Sequence, residues 1–530
     1  MSVIAAVDKP QRLISALQRA DAYSHTVETI TLFETHISWV LLTGEYVYKI
    51  KKPVNFGFLD FSTLEKRRFY CEEELRVNRR LAPHLYLAVV PVCGTPDTPH
   101  IDGTGRAFEY AVKMRQFDPQ KTFDALLARD ALTAPVIDET ASVLAGFHQQ
   151  IAIAAAETHF GTPDAIKQPV QENFEQLEQM LANTPNVDNI HKTCKTLQQW
   201  SQTQLEKLQL TFRHRQQAGF VRECHGDLHL RNIVLWNDQV VPFDGIEFNA
   251  NLRWIDVMSE LAFLLMDLDD HHQKKLSRQL LNRYLSLTGD YDGLATLRFY
   301  QVYRAMVRAK VASLRLAQTS SAPKMDATKN SPAEIHNYIQ LAENYTHPIP
   351  VNLVITRGLS GSGKSYLARQ LALNSDLIHL RSDVERKRLF GLGETTRSHS
   401  QIDTGIYQQE ATHATYDRLY TLAETCLANG FSVIVDATFL QHAQRELFRA
   451  LAQELKCHFR ILDCQTTPEV MRQRIQQREQ QGSDASEADL HVLEKQLSKQ
   501  QLLDSDEKKY ALNIDTTIEI NVSTILKLMA

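Results

Sequence analysis

The chain has no Cys-x-x-Cys pair, no long apolar run and no large charge excess, and each absence removes a class of protein. Seven cysteines, at positions 71, 93, 194, 224, 426, 457 and 464, are scattered through 530 residues. An odd, dispersed set argues against a disulfide framework or a zinc site and fits the reducing cytoplasm. The most apolar short stretch, Leu261 to Met266, is far too short to cross a bilayer. Asp8, Lys9, Arg12, Arg19 and Asp21 interrupt residues 1–30, so no signal-peptide core is expected there. A formal net charge of −5 gives no global support for binding nucleic acid or an anionic membrane. Repeats and low-complexity tracts are also missing. What remains, with 43% hydrophobic and 23% charged residues, is the composition of a globular cytoplasmic protein with room for large cores.

The length is that of about two to four domains. One joint stands out, from Gln318 to Pro323 and on through Lys329-Asn330-Ser331-Pro332, rich in turn formers. A helical pattern from Ala333 to Asn344 belongs to that connection, and Pro348 and Pro350 stop it. The expected organisation is therefore a domain over 1–316, a linker over 317–349 and a domain over 350–530. Before the joint, strands come first and helices later, an α+β order with two lobes. Ile37–Leu42 and Tyr46–Ile50 flank a Thr43-Gly44-Glu45 turn as a hairpin. Ser62-Thr63-Leu64-Glu65 reads as a capping box opening a helix towards Arg80. After the joint, short apolar runs alternate with longer helical stretches, the α/β pattern of a parallel sheet with helices on both faces.

Two motifs carry chemistry. The first is His225-Gly226-Asp227-Leu228-His229-Leu230-Arg231-Asn232, followed by Pro242-Phe243-Asp244. Phosphoryl transfer needs a base or orienter for the acceptor hydroxyl, metal ligands, and a cation on the donor phosphates. Asp227 suits the first role, while Asn232 and Asp244 offer the oxygen ligands that magnesium prefers. Lys49, in a strand, could reach the phosphates, fixed by a carboxylate from the capped helix: Glu74, with Glu73 as the weaker choice.

These residues resemble the aminoglycoside and choline phosphotransferase branch of the protein-kinase-like fold over most of residues 1–316. The resemblance implies a bilobal kinase fold, Asp227 as the catalytic aspartate, and Asn232 with Asp244 as metal ligands. Leu144-Ala145-Gly146-Phe147-His148, and Asp256 ahead of Glu260-Leu261-Ala262, are softer matches. One departure is the lack of a Gly-x-Gly-x-x-Gly loop before Lys49. Asp267, Asp269 and Asp270 with His271 and His272 read as a solvated helix end.

The second motif is Gly358-Leu359-Ser360-Gly361-Ser362-Gly363-Lys364-Ser365, after the strand Val351 to Ile355 and before a helix. That context is what makes a phosphate-cradling loop convincing: backbone N–H groups and the helix N-terminus face the phosphates. Lys364 would bridge the β- and γ-phosphates and Ser365 would bind magnesium. Asp383, ending the second strand, is a candidate base, with Arg386 placed to bind substrate. Asp436 ends the third strand, suited to magnesium or its water shell. Arg474 and Arg478 lie at i and i+4 on one helix face, where they could close over a triphosphate. Tyr407 and Arg397 to Thr404 could shape an acceptor pocket.

This set resembles the small P-loop kinases typified by gluconate kinase, adenylylsulfate kinase and polynucleotide 5′-hydroxyl kinase, and more distantly the zeta toxins. Asp383 and Arg386 match the acceptor side of that group, and Arg474 and Arg478 its lid. The whole chain resembles a bacterial group that fuses the two domains. The implied function is an ATP- and Mg2+-dependent kinase with two sites, each phosphorylating a hydroxyl of a small molecule. Two alternatives stay open: one domain catalytic with the other an ATP-binding regulatory module, or a C-terminal 5′-hydroxyl polynucleotide kinase. Lys49 to Lys52, Lys66-Arg67-Arg68 and Arg79-Arg80 make the N-terminal lobe locally basic. Solvated faces and ATP neutralisation explain them without a nucleic-acid partner.

Overall fold

Period-two patterning in the N-terminal region builds a six-stranded antiparallel sheet of order β1-β2-β3-β6-β4-β5. Its strands are β1 (Thr31–Glu34), β2 (Ser38–Leu42), β3 (Tyr46–Lys51), β4 (Tyr86–Thr95), β5 (Thr98–Ile101) and β6 (Ala107–Arg115). The computed structural model describes residues 10–57, 59–181, 188–319, 332–394, 396, 406, 408–481 and 485–529. Tyr407 and the stretch Arg397 to Thr404 lie outside the described residues. By packing, the chain forms two units: Met1–Val136 with Gly146–Glu175 and Leu205–Asp267, and Ile137–Ala145 with Gln176–Gln204 and Leu268–Ala530.

In the first unit, alternation along β3 sorts its side chains between two layers. Tyr48 and Ile50 join an apolar cluster with Trp39, Leu41 and Val92. Val47 packs into the opposite layer, against Cys71, Tyr86 and Val112. Lys49 and Lys51 share the Val47 face, two residues apart. The helix α1 (Leu64–Asn78) supplies that layer's Cys71. It starts one residue later than the capping box predicts. The Thr63 hydroxyl accepts the Lys66 N–H at 3.2 Å, whereas the Ser62 hydroxyl donates to Asp60 at 2.6 Å.

The remaining strands of this unit form two short antiparallel pairs. β7 (Val221–Glu223) pairs with β10 (Trp254–Asp256), and β8 (Ile233–Trp236) with β9 (Gln239–Pro242). Two helices, α2 (Ala134–Gln150) and α3 (Val257–Asp270), carry residues that support the loop after β7. The acidic end of α3 is not solvated as its sequence suggests. Asp267 is 2% exposed and accepts the Leu230 N–H at 2.8 Å. Asp269 accepts the Tyr345 hydroxyl at 2.6 Å. Both acids are held by partners that lie far away in sequence, beyond the reach of a charge-run reading.

The second unit contains the helix α4 (Lys274–Thr288) and a five-stranded sheet. Its strands are β11 (Asn352–Arg357), β12 (Leu377–Arg381), β13 (Ser432–Asp436), β14 (His458–Gln465) and β15 (Ala511–Asp515). They run in the order β12-β13-β11-β14-β15, every neighbouring pair parallel. Val354, Ile434 and Leu462 face Leu367 and Leu371 of the helix α5 (Lys364–Asn374). Leu353, Ile355, Val433 and Ile461 on the other face are buried too, so both faces are covered, as a parallel sheet requires. The helices α6 (Ser382–Leu389) and α7 (Pro468–Gln481) follow β12 and β14. The stretch expected to link the halves contains a helix, Pro332–Thr346, whose Tyr338 hydroxyl accepts from Arg308.

Candidate active sites

Helical periodicity decides which glutamate meets Lys49. Arg67, Cys71, Glu74 and Asn78 form the buried stripe of α1, at the i, i+4, i+7 and i+11 spacing of one face. Glu73 lies off that stripe and pairs with Arg76 at 2.9 Å and Arg253 at 3.2 Å. Lys49 Nζ sits 2.8 Å from Glu74 Oε1 and 2.6 Å from Asp244 Oδ1. A second lysine, which by sequence alone falls within a basic cluster, completes the arrangement. Lys51 Nζ lies 2.7 Å from Glu74 Oε2 and also binds Glu247. Lys51 and Glu74 are wholly buried, while the Lys49 side chain keeps 14% exposure. Of the two lysines, Lys49 is the one that can face a phosphate. Burial would raise the Glu74 carboxyl, but the Lys49 and Lys51 charges outweigh it and hold it down at about 2. Burial likewise disfavours the Lys49 ammonium, and the Asp244, Glu74 and Glu247 carboxylates lift it above its ordinary value.

The other basic residues of this lobe are engaged by protein groups: Lys52 by Glu34, Lys66 by Asp60, Arg67 by Glu109 and Arg80 by Glu223. A tally of charges along the sequence has no access to these pairings.

Asp227, Asn232 and Asp244 lie on adjoining loops tied together by short hydrogen bonds. The Asn232 amide nitrogen donates to Asp227 O at 2.9 Å and to its Oδ2 at 3.0 Å. That leaves the amide oxygen as the atom Asn232 could offer a metal. The Phe243 N–H donates to Asn232 O at 2.8 Å, and His225 Nε2 lies 2.8 Å from Phe243 O. A carbonyl can only accept, so Nε2 carries the proton. Nδ1 then accepts the Asp227 N–H at 3.3 Å. Burial pulls His225 below its ordinary pKa, which suits this neutral tautomer. Asp244 stands at φ +63° with its N–H on the Tyr86 hydroxyl at 3.1 Å. Its side chain is 46% exposed and that of Asp227 38%. Two accessible carboxylates and an amide oxygen are a donor set that fits magnesium.

Beneath this loop, the softer sequence matches meet. Glu260 on α3 accepts the N–H groups of His225 at 3.1 Å and Gly226 at 2.7 Å, and lies 3.1 Å from His148 Nε2 on α2. Burial would raise the Glu260 carboxyl; the His148 hydrogen bond and charge, His225 and the Gly226 N–H bring it down to about 2. Gly226 has φ +89°, and a Cβ there would lie 2.7 Å from Leu252 O, so the turn admits only glycine. Asp256 does not join the site. It forms a buried pair with Arg215 at 2.6 Å.

In the second unit the loop after β11 curls over the start of α5. Ser360, Gly361, Gly363, Lys364 and Ser365 line a cleft of about 420 Å³. Asp383, Arg386, Asp436, Arg474 and Arg478 line the same cleft. Gly358, Leu359 and Ser362 do not line it, and among the described residues the buried Ser362 hydroxyl has no hydrogen-bond partner. A loop of glycines with an unpaired buried hydroxyl is a cradle that fits a phosphate chain. Lys364 Nζ donates to Leu359 O at 2.8 Å, and burial lowers its pKa. Asp436 Oδ2 lies 3.2 Å from His379 Nε2. Burial would raise this carboxyl, and the His379 contact with the charges of Arg381 and Lys364 lowers it instead.

The arginine expected to bind substrate and the two expected at the phosphates have protein partners as well. Arg386 donates to Ile406 O at 3.0 Å, and Arg478 to Ala488 O. Arg474 donates to Thr516 O at 2.6 Å and to Gly361 O at 3.4 Å. The Thr516 hydroxyl donates to Ser362 O at 2.8 Å, clasping the loop from β15's end. Thr516 and His379 have no motif to announce them. Position at a strand's C-terminal end, or two residues before it, is the available signal.

Known proteins resemble both halves of the chain. Residues 353–503 match the model of a family described as an AAA domain. An uncharacterized protein of Mycobacterium tuberculosis is 29% identical over 467 residues, 88% of this chain and 90% of its own. A sugar kinase from Janibacter sp. HTCC2649 is similar over 34% of this chain and 92% of its own, at 19% identity and TM-score 0.26. A choline/ethanolamine kinase family protein from Mesorhizobium loti is similar over 61% of this chain and 90% of its own, at 10% identity and TM-score 0.38.

Proposed function

We propose that the protein is an ATP- and Mg2+-dependent phosphotransferase with two kinase-type sites, one in a domain over 1–316 and one over 350–530. Each transfers the γ-phosphate to a hydroxyl of a small molecule. The observation that carries the reading is the meeting of Lys364, Asp383, Arg386 and Asp436 in one cleft with the glycine loop. Catalysis of phosphoryl transfer is mostly positioning and charge stabilisation, and those residue types supply both. The linked set Lys49–Glu74–Asp244–Asn232–Asp227 supports the same chemistry in the first domain.

In this reading Asn232 and Asp244 would hold magnesium in the first site, and Ser365 and Asp436 in the second. The metal's contribution is to offset phosphate charge. Asp227 and Asp383 each orient the acceptor hydroxyl and take its proton as its oxygen bonds to phosphorus and the bond to ADP breaks. Lys49, fixed by Glu74, and Lys364 hold the donor phosphates. Arg386 binds the acceptor, and Arg474 and Arg478 face the triphosphate.

A labelled-ATP screen against a metabolite mixture tests this. Asp227→Ala should lower turnover of the first site's acceptor by roughly 10²–10⁴, leaving the second site's product unchanged. Lys364→Ala should remove the second product alone. Full turnover of both acceptors by both variants would overturn the assignment.

A further inference from the structure

A second cleft, of about 620 Å³, adjoins the glycine-loop cleft, and all its lining residues belong to the second unit. The two clefts share Ser365, Tyr366 and Arg478. One wall is α5 with the edge strand β12. The opposite wall comes from α4 and from Asp138 and Glu139, residues outside the 353–503 stretch that matches the AAA domain family. A volume of this size is in the range that holds a small metabolite.

The charges in this cleft fall in two groups: Arg369 Nη2 lies 3.7 Å from Asp138 Oδ2, and Arg283 and Arg381 surround Glu394. At one end Arg381 Nη1 lies 2.9 Å from Glu394 Oε1, and Arg283 holds the other oxygen of the same carboxylate. The chain itself thus places a carboxylate where two guanidinium groups converge, one nitrogen of each on a different oxygen, and such a pair of charges suits a carboxylate or phosphate group. Glu394 belongs to neither helix nor strand; it follows the turn at Gly391 and is anchored through its carbonyl, 3.0 Å from Lys387 Nζ. A side chain on such a segment can yield its place more readily than one fixed in a helix.

Part of the remaining lining suits hydroxyl groups. Gln279 Nε2 donates to Asp138 Oδ1 at 2.8 Å, and Ser142 and Ser286 lie nearby in the same lining. Carboxylates accept from hydroxyls, while amides and serines both give and accept. Tyr366, 61% exposed, lines both clefts and is an aromatic surface of the kind that suits the C–H side of a sugar. His379 connects the clefts chemically: it lines this one, its ring contacts Asp436 in the other, and its backbone N–H donates to Asn282 Oδ1 of α4 at 2.8 Å.

We propose that this cleft extends the acceptor site of the glycine-loop cleft, and that the acceptor is an anionic polyol whose charged group takes the place of Glu394 between Arg283 and Arg381 while its reacting hydroxyl reaches past the shared residues Ser365, Tyr366 and Arg478 to Asp383 and Arg386. The acceptor role rests on the kinase reading above; the binding site does not. The anion is a carboxylate, as in a sugar acid, or a phosphate, as in a sugar phosphate.

The test is calorimetric titration of the full chain under saturating ADP and Mg2+, which keeps phosphates out of the glycine loop. The probes are glycerate, glycerol phosphate, a hexonate and a hexitol phosphate. At least one should bind, with the preference for carboxylate or phosphate naming the source. Glu394→Gln should bind it about tenfold tighter, and Arg283→Ala about tenfold weaker, the scale of one charge-assisted contact. Arg283→Lys, which keeps the charge and the fold, should fall between Arg283→Ala and the wild type. Failure of all four probes to bind Glu394→Gln, or equal binding to every variant, overturns the site. Binding in the expected order without transfer of labelled phosphate to the bound probe keeps the site and overturns its acceptor role. Transfer to a compound whose binding ignores Arg283, Arg381 and Glu394 upholds the kinase reading and overturns this assignment.

Discussion

Lys51 and Glu74 are both wholly buried, and each neutralises the other. A buried ion pair adds little net stability because desolvation offsets the attraction, but removing one partner strands the other. Lys51→Met would leave Glu247 and one oxygen of Glu74 without a cation. The expected loss in denaturant-unfolding stability is about 3–5 kcal/mol, and Lys49→Met, at a partly exposed lysine, should cost less. Glu260 gives a pH signature of the same kind. Its carboxyl is depressed from an ordinary 4.5 to about 2. A depressed acid contributes stability that is complete above the unfolded pKa and lost as pH falls through the folded one. Stability should therefore decline between about pH 4.5 and 2, and Glu260→Gln should flatten that decline by roughly 3 kcal/mol. That Asp227, Asn232 and Asp244 lie close together, and that Lys364 follows the glycine loop into a cleft, is legible in the sequence because each set has a short, fixed spacing. Lys51 is not, since a lysine beside two others reads as surface. The choice of Glu74 over Glu73 is within reach, because only position 74 continues the 67, 71, 78 stripe.

At the scale of elements, the glycine loop depends on backbone positions that no other residue can occupy. Gly361 has φ +80°, and a Cβ there would lie 2.7 Å from Met471 O on α7. The left-handed conformation alone costs an L-residue about 1–2 kcal/mol, and the carbonyl cannot retreat without unseating α7. Gly361→Ala should lower stability by at least about 1 kcal/mol and weaken nucleotide binding in a fluorescent-ATP titration. Gly146 is the opposite case. It lies inside α2, and a Cβ added there would meet no described residue within 4 Å, so Gly146→Ala should stabilise the protein by roughly 0.5–1 kcal/mol. The strands around the glycine loop are readable from short apolar runs, because buried parallel strands leave no polar face. The start of α1 is ambiguous by one residue, since Ser62 and Thr63 are equally good caps by composition. Asp60, which takes the Ser62 hydroxyl, decides between them. The roles of Thr516 and His379 are not legible, because each follows from strand order rather than from local pattern.

For the whole molecule, the question is whether one chain binds two nucleotides. The two candidate sites share no residue: Lys49, Glu74 and Asp244 belong to the first unit, and the glycine loop to the second. If both bind ATP, calorimetry with a non-hydrolysable analogue and Mg2+ should find two equivalents per chain. Lys364→Ala should reduce this to one, and Asp244→Ala to the other one, because Asp244 partners Lys49 rather than any group of the glycine-loop cleft. The double variant should bind none. The same titrations separate paired catalysis from the regulatory alternative. Under paired catalysis, each single variant abolishes one labelled product and leaves the other's kcat and KM unchanged. Under regulation, two equivalents still bind but only one product forms, and losing nucleotide at the silent site changes the rate at the other. One equivalent in the wild-type chain, lost with a single substitution, would leave one of the two constellations without a nucleotide and remove it from the mechanism.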